Sequence, residues 1–219
     1  MMGRGVLAVA AALLLAGCGQ TVPGTPTWPG ATLEKVTLTG ADLEPGVQFD
    51  RIHDKPGQPD GAGGPGSMLS RPAGCANALT DVIARSAQRG PGSATKYAVS
   101  YDGVRIVMTV LSWPLDLQQL EATANRCAKF EAFFDPNSEG IPITTTRLPG
   151  TERGVLAYQQ TMQLQGVPSS VYMAFQNVGA LSTFGIAFPT ADPAIEAKAS
   201  LPQTFLDVVA KQAAKIRAS

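Results

Sequence analysis

The sequence has little charge, and the charge that it has is balanced. Only 16% of its 219 residues are charged, with 17 basic residues against 17 acidic ones, whereas an ordinary soluble domain has roughly 25%. This balance argues against a nucleic-acid-binding protein, which needs a basic surface to neutralise phosphates, and against a chain held to anionic lipid by charge alone. Hydrophobic residues make up 44%, so we expect most of the chain to fold around a core.

Residues that carry catalysis or bind metals are also scarce. The only histidine is His53, and no Gly-x-Ser-x-Gly sequence accompanies it. A Ser-x-x-Lys match at Ser93–Lys96 leads into a predicted strand and lacks its companion motifs. The carboxylates show no paired spacing, the glycines show no phosphate-binding pattern, and too few metal ligands are present. We therefore expect no catalytic residue, no metal and no cofactor, in a protein that is not an enzyme.

The N-terminus has an apolar run that is too short to span a bilayer, which needs about 20 residues. The run follows Arg4 and ends in Leu15-Ala16-Gly17-Cys18. These four residues resemble the lipobox of bacterial lipoproteins. The resemblance implies that residues 1–17 are a lipoprotein signal peptide and that Cys18 carries diacylglycerol, which anchors the protein to the cell membrane on its extracytoplasmic side. An ordinary secretory signal with an incidental cysteine is the alternative.

The rest of the chain divides into a tether and one domain. Residues 18–35 are predicted to be the lipidated cysteine and a tether rich in proline and threonine, which has no apolar periodicity. Residues 36–219 are predicted to form a single domain, with an exposed glycine- and proline-rich loop over Lys55–Gly66. Signal cleavage removes Arg4 from the 17 basic residues, so the mature chain has 16 basic and 17 acidic residues.

Hydrophobic periodicity predicts the element order β-α-β-β-α-β-β-β-β-α. The expected strands are Val36–Thr39, Lys96–Ser100, Val104–Trp113, Ile141–Leu148, Gly154–Gln165, Ser169–Val178 and Leu181–Phe188. The expected helices begin near Gly74, Leu117 and Pro202, with inner residues Leu79, Val82, Ile83 and Ser86; Leu117, Leu120, Ala124, Cys127 and Phe134; and Phe205, Val208, Val209, Gln212 and Ile216. This pattern predicts an α+β domain, with a mainly antiparallel sheet of six to seven strands and two to three helices packed on one side.

Two cysteines remain if lipid is attached to the third. Cys75 and Cys127 would both face an oxidising compartment, where such cysteines usually pair. A redox pair would need Cys-x-x-Cys spacing, which is absent. We therefore expect a structural disulfide between Cys75 and Cys127.

The predicted strand Gly154–Gln165 offers two candidate binding surfaces. Its outward positions Gln159, Thr161, Gln163 and Gln165 form a polar, uncharged row, with Gln176 and Asn177 nearby. This row suits a glycan or an extended peptide, although a merely solvated sheet face has the same pattern. An apolar pocket between sheet and helices is the other candidate, although such residues usually belong to a core. Its expected lining is Tyr158, Met162, Met173, Phe175 and Phe184.

The lipobox, the tether and the two cysteines together resemble the envelope lipoproteins of actinobacteria, mycobacteria in particular. The second cysteine precedes Phe130-Glu131-Ala132-Phe133-Phe134. Over roughly Val36–Arg217 the layout is similar to the extracellular sensor domain of a receptor serine/threonine kinase, and a PsbP-like lipoprotein is the second resemblance. Both imply a binding or accessory role at the envelope without catalysis.

Two classes of function follow from these observations. One is a sensing or binding lipoprotein for a small ligand, lipid, glycan or envelope protein, and the other is a structural protein that docks on a larger envelope assembly. An apolar cavity above roughly 300 Å³ favours the first, and a flat exposed apolar patch favours the second.

Overall fold

The computed structural model describes residues 29–53, 68–81, 89–90, 92–164, 166–190 and 192–219. These residues form an α+β fold with one nine-stranded antiparallel sheet in the order β1-β3-β4-β9-β8-β7-β6-β5-β2. The strands are β1 (Gln48–Ile52), β2 (Leu69–Arg71), β3 (Ala94–Tyr101), β4 (Val104–Leu111), β5 (Lys129–Phe133), β6 (Ile141–Arg147), β7 (Val155–Leu164), β8 (Val167–Val178) and β9 (Leu181–Pro189). The helices are α1 (Pro29–Val36), α2 (Leu117–Arg126) and α3 (Gln203–Arg217), with a short 3-10 turn at Gly40–Asp42.

The sheet has more strands than the six to seven predicted. The antiparallel α+β class is as expected, and six of the predicted strands correspond to β3, β4, β6, β7, β8 and β9 with shifted ends. The additional strands are β1, β2 and β5, of which β1 and β2 lie at the two edges. Strand β2 has only three residues, which is too short to show an alternation of apolar and polar side chains.

The helices pack on both faces of the sheet, and not on one side as predicted. On one face, Phe205 and Val208 of α3 share a core with Ala157 and Ala174. On the other face, Leu120 of α2 packs with neighbours of those alanines, including Tyr158, Met173 and Phe175. Because successive residues of a strand point to opposite faces, the strong apolar rows on both faces each need a helix.

The strand predicted at Val36–Thr39 is wrong. Helix α1 ends at Val36 and buries Leu33 against Val110 of the sheet, so the end of the predicted tether is helical. The backbone that follows pairs with a side chain of α3, because the Gln212 amide accepts from Leu38 N at 3.1 Å and donates to Val36 O at 2.8 Å. This fully buried glutamine therefore supplies the hydrogen bonds that a neighbouring strand would have given.

The second predicted helix is shorter than expected. It begins with Asp116, whose carboxylate accepts from Gln119 N at 2.9 Å, and it ends at Arg126, with Cys127 as its C-cap. The chain then turns into β5, so Phe130 is a strand residue that pairs with Ile143. Phe134, predicted on the inner helix face, lies just beyond β5 and is 79% exposed.

The first predicted helix falls largely outside the described residues. Leu79 is buried and residues 76–80 form turns, while Val82, Ile83 and Ser86 are not among the described residues. The segments 1–28 and 54–67, with Cys18 and the whole of the predicted loop, are outside them as well. Within the described part of the chain, no helix has the length and apolar character needed to cross a membrane.

Candidate functional site

The candidate site is a polar area on the sheet face that also carries α3. Strand register places Thr146, Gln159 and Tyr172 side by side on β6, β7 and β8, and it places Thr144, Thr161 and Ser170 in the next row. Gln163 continues the row on β7. We call this area the polar platform: Thr144, Thr146, Gln159, Thr161, Gln163, Ser170 and Tyr172.

The platform is accessible because α3 covers the opposite part of the same face. Helix α3 approaches the sheet at Gly185, where a Cβ atom would lie 2.7 Å from Met108 Sδ and 2.9 Å from a ring carbon of Phe205. The platform lies beyond this contact on β6 to β8. Thr144, Thr146 and Gln163 are exposed there, whereas Gln159, Thr161, Ser170 and Tyr172 are half-buried.

Hydrogen bonds between neighbouring strands orient the platform side chains. Ser170 Oγ accepts from Gln159 Nε2 at 2.9 Å and lies 3.1 Å from Thr161 Oγ1. Such cross-strand contacts restrict the rotamers of all three side chains. The amide oxygen of Gln159 and the exposed side chain of Gln163 lie in the same row of β7. The centre of the platform is therefore a partly ordered set of hydroxyl and amide groups.

Charged side chains border the platform at β5. Lys129 of β5 is opposite Thr144, and Glu131 two residues later pairs with Arg71 of β2 at 3.5 Å. The three strands that carry the platform contribute hydroxyl, amide and aromatic groups to it and no carboxylate, ammonium or guanidinium group. The platform is thus an uncharged surface with a charged border at β5.

The predicted polar row is divided by the sheet geometry. Gln159, Thr161 and Gln163 share the platform face as predicted, whereas Gln165 lies outside the described residues. Gln160 points to the other face, where its Nε2 donates to Thr145 Oγ1 at 3.1 Å. Gln176 is buried, and Asn177 holds the segment before α2 through two hydrogen bonds with the Leu115 backbone, at 2.8 and 2.9 Å.

The residues of the predicted apolar pocket lie on the opposite face and fill the core beneath α2. Tyr158, Met173, Phe175 and Phe184 are all buried, and the rings of Phe175 and Phe184 stack at 5.1 Å. Met162 is half-buried and packs beside them against the cluster around Phe130. None of these side chains lines a cavity described below, so their role in the described structure is packing. Burial raises the pKa of the Tyr158 hydroxyl.

A cavity with a volume of about 420 Å³ lies between α2 and residues 68–81. Its lining is mixed, with Met68 and Leu120 beside Asn77, Gln119 and Arg126. Its volume exceeds the roughly 300 Å³ expected of a ligand cavity, but its walls are not predominantly apolar. Two further clefts of about 150 and 140 Å³ lie at Gln203 of α3 and at Arg51 of β1.

The predicted cysteine pair borders this cavity. The sulfur atoms of Cys75 and Cys127 are 2.08 Å apart and their Cα atoms are 5.4 Å apart, so the structure brings together the pair predicted from the sequence. Both cysteines are buried, and Arg126 lies within 3.5 Å of Cys75 Sγ. The disulfide joins the C-terminal end of α2 to the segment that forms the opposite wall.

The residues weighed for catalysis are not brought together. His53 is exposed at the end of β1, in the cleft at Arg51. Ser93 donates to Gly90 O at 2.8 Å, and Lys96 is a buried residue of β3. In the described ranges, no three His, Cys, Asp or Glu side chains are grouped as a metal site would require.

Sequence reasoning missed Thr144, Thr146, Ser170 and Tyr172 as members of the site. Their alternation along the strands was visible, but the sequence did not tell which row of β6 and β8 would lie beside Gln159. That depends on the two hairpin connections, which set the register of all three strands.

Comparison with known proteins found no matching protein-family model and no matching curated protein. Among solved structures, an uncharacterised protein of Mycobacterium smegmatis, the Rv0999 orthologue, is similar with a TM-score of 0.45 and 14% sequence identity. The match covers 86% of this chain and 95% of that one.

Proposed function

We propose that the protein is a lipid-anchored, non-enzymatic binding protein of the cell envelope, and that its polar platform binds an uncharged ligand. The platform itself is the observation that carries this proposal. It offers seven side chains on three adjacent strands, on a part of the sheet that α3 leaves accessible. Because this surface has no charged groups but many hydrogen-bonding groups, it suits recognition by polar contacts without ion pairs.

The anchor is inferred from the sequence. Leu15-Ala16-Gly17-Cys18 matches the lipobox at each position, and it supports attachment of lipid at Cys18 on the extracytoplasmic side of the cell membrane. The buried Cys75–Cys127 pair suits an oxidising compartment. Within that setting, we propose kinship with actinobacterial lipoproteins that resemble the sensor domain of a receptor serine/threonine kinase, with the PsbP-like lipoproteins as the alternative.

A second candidate function rests on three exposed apolar side chains. Leu69, Phe134 and Val167 are 49%, 79% and 65% exposed. Leu69 pairs with Phe133 and Val167 with Leu164, so all three lie at the same end of the sheet. We call this set the apolar tip. It favours a structural protein that docks on an envelope assembly through this end.

Site-specific photocrosslinking in intact cells tests both candidates. A benzoylphenylalanine residue replaces Gln163 on the platform, Phe134 at the apolar tip, or Asn125 on the exposed side of α2 as the control. If the platform is the binding surface, the Gln163 variant forms an adduct that the Asn125 variant does not. The reason is that the crosslinker reacts only with groups within van der Waals reach of its carbonyl.

An adduct at position 134 without one at position 163 would replace the binding function with the docking function. Equal adducts at all three positions, or none at 163 and 134, would contradict both proposals. Each variant is first compared with the unmodified chain for its melting temperature, so that a folding defect is not mistaken for lost binding.

A further inference from the structure

We infer that the ligand of the polar platform is an uncharged glycan. This inference rests on the proposed function and adds the chemical class of the ligand. It follows from four features of the platform: which groups it presents, its size and preformed side chains, how the backbone beneath it is paired, and where its aromatic ring lies.

The groups presented by the platform match those of a sugar. Thr144, Thr146, Thr161 and Ser170 carry hydroxyls, and Gln159 and Gln163 carry amides. Both kinds of group donate and accept hydrogen bonds at the same atom or at neighbouring atoms. Sugar hydroxyls have the same dual character, so each can donate one hydrogen bond to the platform and accept another from it. An ionised ligand would instead need an opposite charge, which β6, β7 and β8 do not supply there.

The platform is also large enough for an extended ligand. Its outer strands are two strand spacings apart, about 10 Å, and Gln159 to Gln163 span about 14 Å along β7. The contacts among Gln159, Thr161 and Ser170 hold the central side chains before a ligand arrives. Preformed side chains lose less entropy on binding, and this advantage grows when several weak hydrogen bonds act together.

The backbone beneath the platform disfavours an extended peptide. Peptides that join a sheet hydrogen-bond to the backbone of an edge strand. Strand β7 is paired on both sides along the platform, with β6 and β8, and β6 is paired with β5 and β7. Two stretches beside the platform have an open edge: Val167–Val171 of β8, since pairing with β9 begins at Tyr172, and Thr146–Arg147 of β6, since pairing with β5 ends at Thr144. A peptide added at the first edge would leave the threonines of β6 unused, and one added at the second would leave Ser170 and Tyr172 unused.

Tyr172 supplies the remaining feature of a sugar site. Its side chain is half-buried and packs against the core beneath α3, while it lies next to Gln159 in the platform row. An aromatic side chain in this position presents an apolar surface with a polar end. Pyranose rings have an apolar face of C–H groups that packs on such a surface while their hydroxyls reach the neighbouring amides.

The test is titration of the full chain with neutral oligosaccharides built from glucose, mannose, galactose or arabinose, and with oligogalacturonate as the charged comparison. The lipoprotein is kept in a polyoxyethylene detergent, because maltoside head groups are themselves glycans. The variants are Gln159→Ala and Tyr172→Leu. Gln160→Ala is the matched control, since it is the adjacent glutamine of the same strand on the opposite face.

We expect at least one neutral oligosaccharide to bind, and Gln159→Ala to weaken it about fivefold, as loss of one hydrogen-bonding group does. Gln160→Ala should leave the affinity within about twofold, and Tyr172→Leu should weaken it at an unchanged melting temperature. Preference for oligogalacturonate, or glycan binding that is insensitive to Gln159→Ala and Tyr172→Leu, would overturn the inference.

The crosslinking adduct at Gln163 separates this inference from the function on which it rests. An adduct that periodate destroys and protease spares agrees with a glycan. An adduct that protease destroys, together with no oligosaccharide binding, would overturn the glycan but keep a binding function for the platform. Absence of any adduct at Gln163 would contradict both the glycan inference and the binding function of the platform.

Discussion

At the scale of single residues, polar side chains determine how the N-terminal segment joins the domain. Gln212 supplies two hydrogen bonds to the backbone after α1 from inside the core. Asp42 accepts hydrogen bonds from the backbone and hydroxyl of Thr39, at 2.7 and 2.8 Å, and from Lys215 of α3. The contacts of Gln212 and Lys215 connect residues far apart in sequence, so they had no signature that could be recognised along the chain.

Asp42 gives a prediction about acid stability. The hydrogen bond from Lys215, with further ones from Thr39, lowers the pKa of Asp42 from 3.8 to about 2. A carboxyl with a lowered pKa in the folded state adds stability above pH 3.8, and this contribution is lost as the pH falls through 2. Since both partners are partly exposed, we expect Asp42→Asn to cost about 1 kcal/mol near neutral pH.

Urea unfolding of wild type and Asp42→Asn between pH 2 and pH 7 measures this cost. The gap between the two proteins should close toward pH 2. A Lys215→Met variant provides the control, because the two substitutions together should cost less than the sum of the single ones. A gap that stays constant with pH would show that the ion pair does not supply the stability.

At the scale of elements, the sequence predicted those with a long, uninterrupted pattern. Six of the predicted strands and the C-terminal helix are present, and in the structure each of these elements has seven residues or more. The prediction failed where a helical pattern in the sequence continued past the point at which the helix ends. The helical spacing through Cys127 extends to Phe134 in sequence, but Cys127 caps the helix and its disulfide fixes the chain where β5 begins.

The same distinction applies to the candidate site. Alternation in β7 assigned Gln159, Thr161 and Gln163 to one face, which the structure agrees with. Four of the predicted pocket residues, Tyr158, Met173, Phe175 and Phe184, are on the opposite face and are covered by α2. No local pattern tells whether a given sheet face is covered by a helix, because that depends on how distant segments pack.

The disulfide gives a prediction for the element that it holds. The bridge closes a loop with a sequence separation of 52 residues, and loop closure of that length stabilises the folded state by on the order of 4 kcal/mol. Paired replacement of Cys75 and Cys127 by serine should therefore lower the melting temperature markedly. Non-reducing peptide mapping checks the bridge itself, and free thiols at both positions in freshly purified protein would contradict it.

At the scale of the whole molecule, helix α1 and the apolar tip lie at opposite ends of the sheet. Helix α1, the first described element of the chain, packs with Val110 and Leu181. Strand order and register place that end away from the Leu164–Val167 turn and from Phe134. If Cys18 is in the membrane, the tip therefore faces away from the point at which the chain enters the domain, which suits a protein partner better than the same membrane.

The lipid anchor itself is tested by Cys18→Ala. Without the thiol, no diacylglycerol can be attached, so the variant should be released from the membrane or remain as the unprocessed precursor. Fractionation and mass spectrometry of the N-terminus measure both outcomes, with Thr25→Ala in the tether as the control. A Cys18→Ala protein that is processed and membrane-bound like the wild type would contradict the anchor.

The central claim is that an uncharged part of the sheet binds the envelope ligand, and one binding measurement tests it most directly. The full chain is bound to washed cell-envelope material in low and high salt, as wild type and as the double variant Gln159→Ala with Gln163→Ala. We predict that the double variant binds about tenfold more weakly at an unchanged melting temperature, and that wild-type affinity changes little with salt because screening acts on charges. Equal binding by the two proteins, or a steep salt dependence of the wild type, would contradict the claim.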